Sequence, residues 1–403
     1  MTLDLTSTNA SQIAAALLTE RRKAGSPAMG MVMTLVVVTD EQDHYDALKV
    51  ARAVSREHPA RILGVIRRSH RGRAELDAEI SVGGSGESVL LRMKGELADH
   101  AESVVLPLLL PDSPVVVWWP SKAPADPAHD ALGVLAQRRI TDASAMDRGK
   151  TQAILTQART YADGNTDLAW TRLTPWRALL AAALDQYPAK VRSGEVSAER
   201  LNPSADLLVA WLADRLHVEI TRTVSKGPGI TSVVLLTGGG PIEISRPDGR
   251  LAMFTIPNAP DRPVALRRRD TAELLAEELR RLDPDDIYAE TVKRLRKIAD
   301  THARTTAKPV KDLPRRPATA TSPSTGAASA KTSTSTGSTE KRSAERGASE
   351  KTSAKRPSAQ KRSAKKAAAK KAAAKGAAAK KTSGKKTSPR KTSASASAAS
   401  TGR

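Results

Sequence analysis

The segment Thr166–Gln186, TDLAWTRLTPWRALLAAALDQ, interleaves Trp170, Arg172, Trp176 and Arg177. Tryptophan and arginine dominate the binding energy of protein interfaces when they are exposed together. Trp118 and Trp119, at the end of an apolar run, form a second aromatic pair. These six residues are the candidate contacts to a protein partner. The same tryptophans would serve equally well as buried core, and residue type does not separate the two roles.

Other chemistry is sparse. Gly149-Lys150-Thr151 resembles the end of a phosphate-binding loop, but that loop also needs a glycine where Ser144 stands. No G-x-G-x-x-G follows the first apolar strand, which runs into Thr39 and Asp40, so the dinucleotide fingerprint is missing where it would be placed. The histidines, at 44, 58, 70, 100, 129, 217 and 302, show no metal-ligand spacing. Asp40 and Asp43 have the placement of helix-capping carboxylates. The expectation is therefore a chain with no catalytic, cofactor-binding or metal site. With no cysteine, disulfides and thiol chemistry are excluded.

The elements that must position these residues follow from periodicity. Ser11–Lys23 reads as a helix ending in basic residues, and Met31–Thr39 as a strand covered on both faces. A helix over Tyr45–Arg56 and a strand over Arg61–Ile66 complete a parallel strand-helix-strand unit. Ala74–Val82 alternates and Ser88–Met93 returns after GGSG, which predicts a hairpin with a flexible tip. A helix is expected over Glu96–Leu110, kinked or cut short at Pro107, then strands at Val115–Trp119 and 138–142 and a helix over Thr151–Thr160. Thr174 and Pro175 read as N-cap and first residue of the helix that carries Trp176. Beyond it come a strand over Lys190–Ala198, a helix capped by Asn202, a glycine-punctuated meander from Glu219, and helices over Thr271–Arg281 and Asp283–Ile298. The fold class is α/β: two α/β domains with mixed sheets, residues 1–160 and 161–303, the second with α+β character.

Residues 304–403 depart from this grammar. Residues 317–403 hold 21 Lys and Arg against 3 Glu, so +18 of the total +22 lies there and residues 1–316 carry only +4. KTS and KRSA recur, and no aromatic residue interrupts them. Such a composition predicts a disordered tail that either only solubilises the chain or binds nucleic acid weakly and without sequence preference, through phosphate contacts alone. The N-terminus has no secretory pattern, and the run Val104–Trp119 is broken by prolines, so a cytoplasmic chain with no membrane segment is expected.

Several stretches together resemble the OpcA family, the glucose-6-phosphate dehydrogenase assembly proteins, in its actinobacterial form. They include TLVVVTD at 34–40, SREHPARI at 55–62, GELADHAESVVLPLLLPDSPVVVWWP at 95–120, QRRITDA at 137–143 and DLAWTRLTPWRALLAAALDQ at 167–186. PSADLLVAWLADRL at 203–216, GPGI at 227–230 and LAEELRRLDPDDIYAE at 275–290 extend the likeness to about residue 300. The resemblance implies a non-enzymatic partner that binds glucose-6-phosphate dehydrogenase, favours its active oligomer and raises its activity. It implies thiol control in cyanobacterial relatives, for which this chain has no residue. The alternative reading is a nucleic-acid-associated protein that binds through its tail.

Overall fold

Runs of β-branched residues with no polar alternation need cover on both faces, and the first half of the chain supplies it with helices on each side of one sheet. The computed structural model describes residues 2–24, 30–69, 71–83 and 86–306. The hairpin tip at residues 84 and 85 and the expected tail beyond residue 306 lie outside the described residues.

The first sheet is built from β1 (Thr2–Leu5), α1 (Ala10–Ala24), β2 (Met33–Thr39), α2 (His44–Val54), β3 (Ala60–Arg67), β4 (Glu75–Gly83), β5 (Gly86–Lys94), α3 (Ala101–Val105), β6 (Val115–Trp118), β7 (Arg138–Thr141), α4 (Lys150–Arg159) and β8 (Asn165–Asp167). Its strand order is β1-β4-β5-β3-β2-β6-β7-β8. From β5 to β8 every pairing is parallel, while β4 and β1 add an antiparallel edge. Strand order reverses at β2, where the chain first builds outward through β3 and then crosses to β6. This is the doubly wound order whose ligand crevice lies at the carboxyl ends of the central strands.

The second sheet follows α5 (Leu168–Thr171) and α6 (Thr174–Gln186). It comprises β9 (Val191–Ala198), α7 (Pro203–Leu216), β10 (Glu219–Val224), β11 (Ile230–Thr237), β12 (Gly240–Ser245), β13 (Leu251–Thr255) and β14 (Arg262–Ala265), and the chain then runs into α8 (Thr271–Leu279) and α9 (Asp286–Thr306). The order is β10-β9-β11-β12-β13-β14, with β9 and β10 parallel across α7 and the rest antiparallel. The expected α/β class with mixed sheets in two regions is what the chain adopts.

Four local expectations need correction. The helix over Glu96–Leu110 is broken into a 3₁₀ turn at Gly95–Ala98, the short α3, and a second 3₁₀ turn at Leu106–Leu108. Pro107 has no N–H to continue an α-helical ladder, and Gly95 takes a positive φ of 60° at its start. Thr174 is not the N-cap of α6. Leu173 takes that position in near-helical geometry, with no side-chain cap, because α5 runs almost directly into α6. The Thr174 hydroxyl instead donates to Glu277 at 2.7 Å. The meander begins only at β11, because β9 inserts between β10 and β11. Finally β1, β8 and β14 are strands that periodicity does not reveal.

Packing crosses the two sheets. α4 joins the core formed by α6, α7, α9 and the second sheet, through Ile154 and Ala158. α8, although it follows the second sheet, returns to the first. Its Leu274, Leu275 and Leu279 pack with Leu35, Ile62, Val116 and Ile140 on the face that α2 partly covers.

Candidate functional site

Trp118 and Trp119 are consecutive residues at the end of a strand, so they project to opposite faces of the sheet. Trp118 lies in the core beneath α2 and α8, and Trp119 in the core beneath α1 and α3. Both are 1% exposed. They therefore cannot share one binding surface.

Trp170 and Trp176 are equally buried, at 1% and 2%. The Trp170 indole N–H donates to Asp285 at 2.8 Å, and its ring lies 5.8 Å from that of Tyr288. The Arg177 guanidinium stacks 3.7 Å from the Trp170 ring centroid, a cation–π contact shielded from water. Burial pushes the Arg177 pKa down, against the pull of Asp285, Glu277 and Glu278. Trp176 faces the other way, with the Arg246 guanidinium 4.9 Å from its ring. The four tryptophans thus belong to the interior as their types allowed. Of the six candidates only Arg172 and Arg177 are partly exposed.

Arg172 forks onto Asp142, two bonds of 2.8 Å each. Asp142 follows β7 and Asp167 ends β8, so adjacent parallel strands deliver two buried carboxylates to one end of the sheet. Asp167 accepts from the Thr141 hydroxyl at 2.6 Å and from the N–H groups of Ala143 and Ala169 at 2.9 and 2.8 Å. Full burial, reinforced by the charge of Asp142, raises its pKa to about 6 despite those donors. A cavity of about 310 Å³ opens beside the pair, walled largely by Ala123, Ala143, Met146 and Ala153.

A buried ion pair locks the same region to α8. Arg138 donates to Glu278 at 2.7 Å and to the Asp283 carbonyl at 2.8 Å, while Glu278 also accepts from the Thr171 hydroxyl at 2.6 Å. Sequence patterning gives no hint of this pair, since its members are 140 residues apart. The arginines 267–269, by contrast, are a visible run that carries a signal once they are seen to wall a cavity with Arg172 and Arg246.

At the crevice between β2 and β6 the chain places Asp40, Glu41 and Asp43 where a dinucleotide-binding sheet presents glycine N–H groups. Asp40 accepts from the N–H groups of Gln42 and Asp43, which makes it the turn former. Lys122 bridges the crevice to Asp40 at 2.6 Å and holds that carboxyl below its ordinary pKa. Glu41 pairs with Arg68 and Arg92 at 2.8 and 3.1 Å. The turn thus engages its carboxylates in local ion pairs and carries no glycine N–H cradle for a pyrophosphate. Among the described residues no group of His, Cys, Asp and Glu has the arrangement of a metal site.

A family model described as the glucose-6-phosphate dehydrogenase subunit N-terminal domain matches residues 51–159, and one described as the corresponding C-terminal domain matches residues 163–292. The chain belongs to the OpcA family. A curated OpcA relative, named an OxPP cycle protein of Synechocystis, is 28% identical over 139 residues, which is 32% of this chain and 29% of that protein. The match to that relative thus spans less than a third of its length. Among solved structures, a 3-ketoreductase from Actinomadura kijaniata aligns at TM-score 0.38 and 12% identity, covering 67% of this chain and 96% of its own. A dehydrogenase from Clostridium difficile aligns at TM-score 0.36 and 7% identity, covering 68% and 99%. No helix among the described residues is long and apolar enough to cross a membrane.

Proposed function

We propose that the chain is a non-catalytic assembly factor and activator that binds glucose-6-phosphate dehydrogenase in the cytoplasm and favours its active oligomer. The observation that carries this reading is the match of both subunit-domain models, at residues 51–159 and 163–292. The sequence after β2 adds support, because it lacks the glycine-rich turn by which this strand order usually holds a nucleotide. Activation by a binding partner is a population shift: the partner must hold the active arrangement more tightly than the inactive one, by the free energy it transfers.

Contact with the enzyme falls in this reading on the surface around Arg172 and Arg177. Trp170 and Trp176 act beneath it by fixing the backbone, while Trp118 and Trp119 serve the two cores of the first sheet. The test is the rate of NADPH formation by the cognate dehydrogenase at fixed substrate, with increasing amounts of this chain. A saturable, stoichiometric rise, with no rate from the chain alone, is expected. A dehydrogenase rate that does not respond, or turnover by the chain alone, refutes the proposal. Arg172→Lys, which keeps a counter-charge on the buried Asp142 but loses the two-bond fork, is expected to weaken the stimulation without unfolding the chain.

A further inference from the structure

A cavity of about 180 Å³, roughly six water volumes at ~30 Å³ each, lies between the start of α7, the turn at Gly229 and the Leu266–Arg269 segment. Arg172, Arg246, Arg267, Arg268 and Arg269 line it, and no carboxylate does. Three of the five have counter-charges outside the wall: Asp142 for Arg172, Glu273 for Arg267 and Glu277 for Arg269. Arg246 and Arg268 form no ion pair among the described residues.

Arg246 is only 5% exposed. Its guanidinium donates to the carbonyls of Leu266 and Ile230 at 2.8 and 3.0 Å, and its buried Nε has no acceptor. Those two bonds explain how the side chain is held. They do not neutralise it, and a buried cation without a counter-ion is costly. Burial, together with the neighbouring Arg268, pushes its pKa down to about 10, with Asp248 giving only a small opposing pull. One further feature favours an anion in the cavity. Asn202 and Ser204 bring in the N-terminal end of α7, whose backbone dipole favours negative charge. Gly229 turns the chain at the opposite wall with φ +67°, a conformation that favours glycine; a Cβ there would meet Arg246 Nη2 and Asn202 Nδ2 only at ordinary contact distances of 3.7 and 3.9 Å.

We infer that this cavity is a binding site for a compact, multiply charged oxyanion of the phosphate class, with Arg246 and Arg268 as its counter-charges. The volume takes one phosphate group with little more than its bridging waters, so a phosphorylated small molecule would enter head first. This site is independent of the proposed partner, because it needs only residues of this chain.

The test uses the full chain, titrated by calorimetry with inorganic phosphate, with a hexose phosphate and with the unphosphorylated hexose. Arg268→Glu is the main variant, because Arg268 is exposed and forms no ion pair among the described residues whose loss would unsettle the fold. Arg246→Lys is the second, keeping the charge while losing the carbonyl fork. Wild type should bind phosphate or the hexose phosphate saturably at a single site and ignore the hexose. Arg268→Glu should weaken that binding at least about tenfold with an unchanged melting temperature in the absence of ligand. Tighter binding of the hexose phosphate identifies an ester as the ligand, and equal or tighter binding of inorganic phosphate identifies the free anion. The basic tail is common to wild type and variant, so its contribution cancels. Absence of saturable binding up to about 10 mM, or equal binding by wild type and Arg268→Glu, overturns the inference.

Discussion

Two buried acidic residues, Glu278 and Asp167, give the sharpest expectations for single side chains. Glu278 neutralises a fully buried Arg138 and also accepts from Thr171, so Glu278→Ala strands a cation inside the molecule. Urea denaturation should show a loss of about 3–5 kcal/mol. Arg280→Ala, which removes the exposed pair with Glu57, should leave the midpoint unchanged. Asp167 titrates at about 6 in the folded chain, above its ordinary value of 3.8, so between those values the folded state holds a proton that the unfolded state has released. Its contribution is favourable below about pH 4 and is lost as the pH rises through about 6, about 3 kcal/mol in all. Carboxyl ¹³C shifts should place the Asp167 midpoint near 6, and an ordinary midpoint near about 4 would contradict this account. Residue type alone carries part of this picture. Trp170, Arg172, Trp176 and Arg177 stand out as a dense segment, but exposure is decided by packing partners such as Asp285 and Tyr288, which lie more than a hundred residues away in the chain.

Among the elements, α8 is the one whose loss should reach furthest. Its start is a full capping box, with Asp270 accepting from the Glu273 N–H at 2.9 Å and Glu273 from the Asp270 N–H at 3.1 Å. Asp270→Ala should cost about 1 kcal/mol. Leu275→Ala, which opens a hole in the core of the first sheet, should cost about 2–5 kcal/mol. Equal effects in denaturant would mean that α8 is held by its cap and not by its packing. This helix is legible in the sequence, because D-T-A-E followed by an apolar stripe is a start signal with a mechanism. Its destination is not, since an amphipathic stripe states that a face is buried and not against which sheet. The same limit explains β10. Its residues read as a strand, while its parallel pairing with β9 is a long-range choice made through α7. The strands β1, β8 and β14 are three or four residues each, too short for alternation to register.

For the molecule as a whole, charge and fold separate cleanly along the sequence. Residues 1–316 are close to neutral, and both family matches fall within them. A chain ending at residue 306 should therefore retain its cooperative melting transition and stimulate the dehydrogenase to the same plateau, in low and high salt alike. Loss of stimulation on truncation, or its disappearance at high salt, would transfer the activity to the Lys-rich segment, because polycation contacts are screened by added salt. The return of α8 to the first sheet also sets the order in which the molecule can be completed. During synthesis, β2, β3, β6 and β7 leave the ribosome well before residues 271–279, and the apolar face around Leu35, Ile62 and Ile140, covered until then in part by α2 and Leu168, must wait for α8 until the second sheet has been made. Newly made chains halted between β8 and α8 are consequently the species most exposed to chaperone capture and aggregation, a hazard that belongs to the wiring of this fold and disappears once residue 279 has emerged.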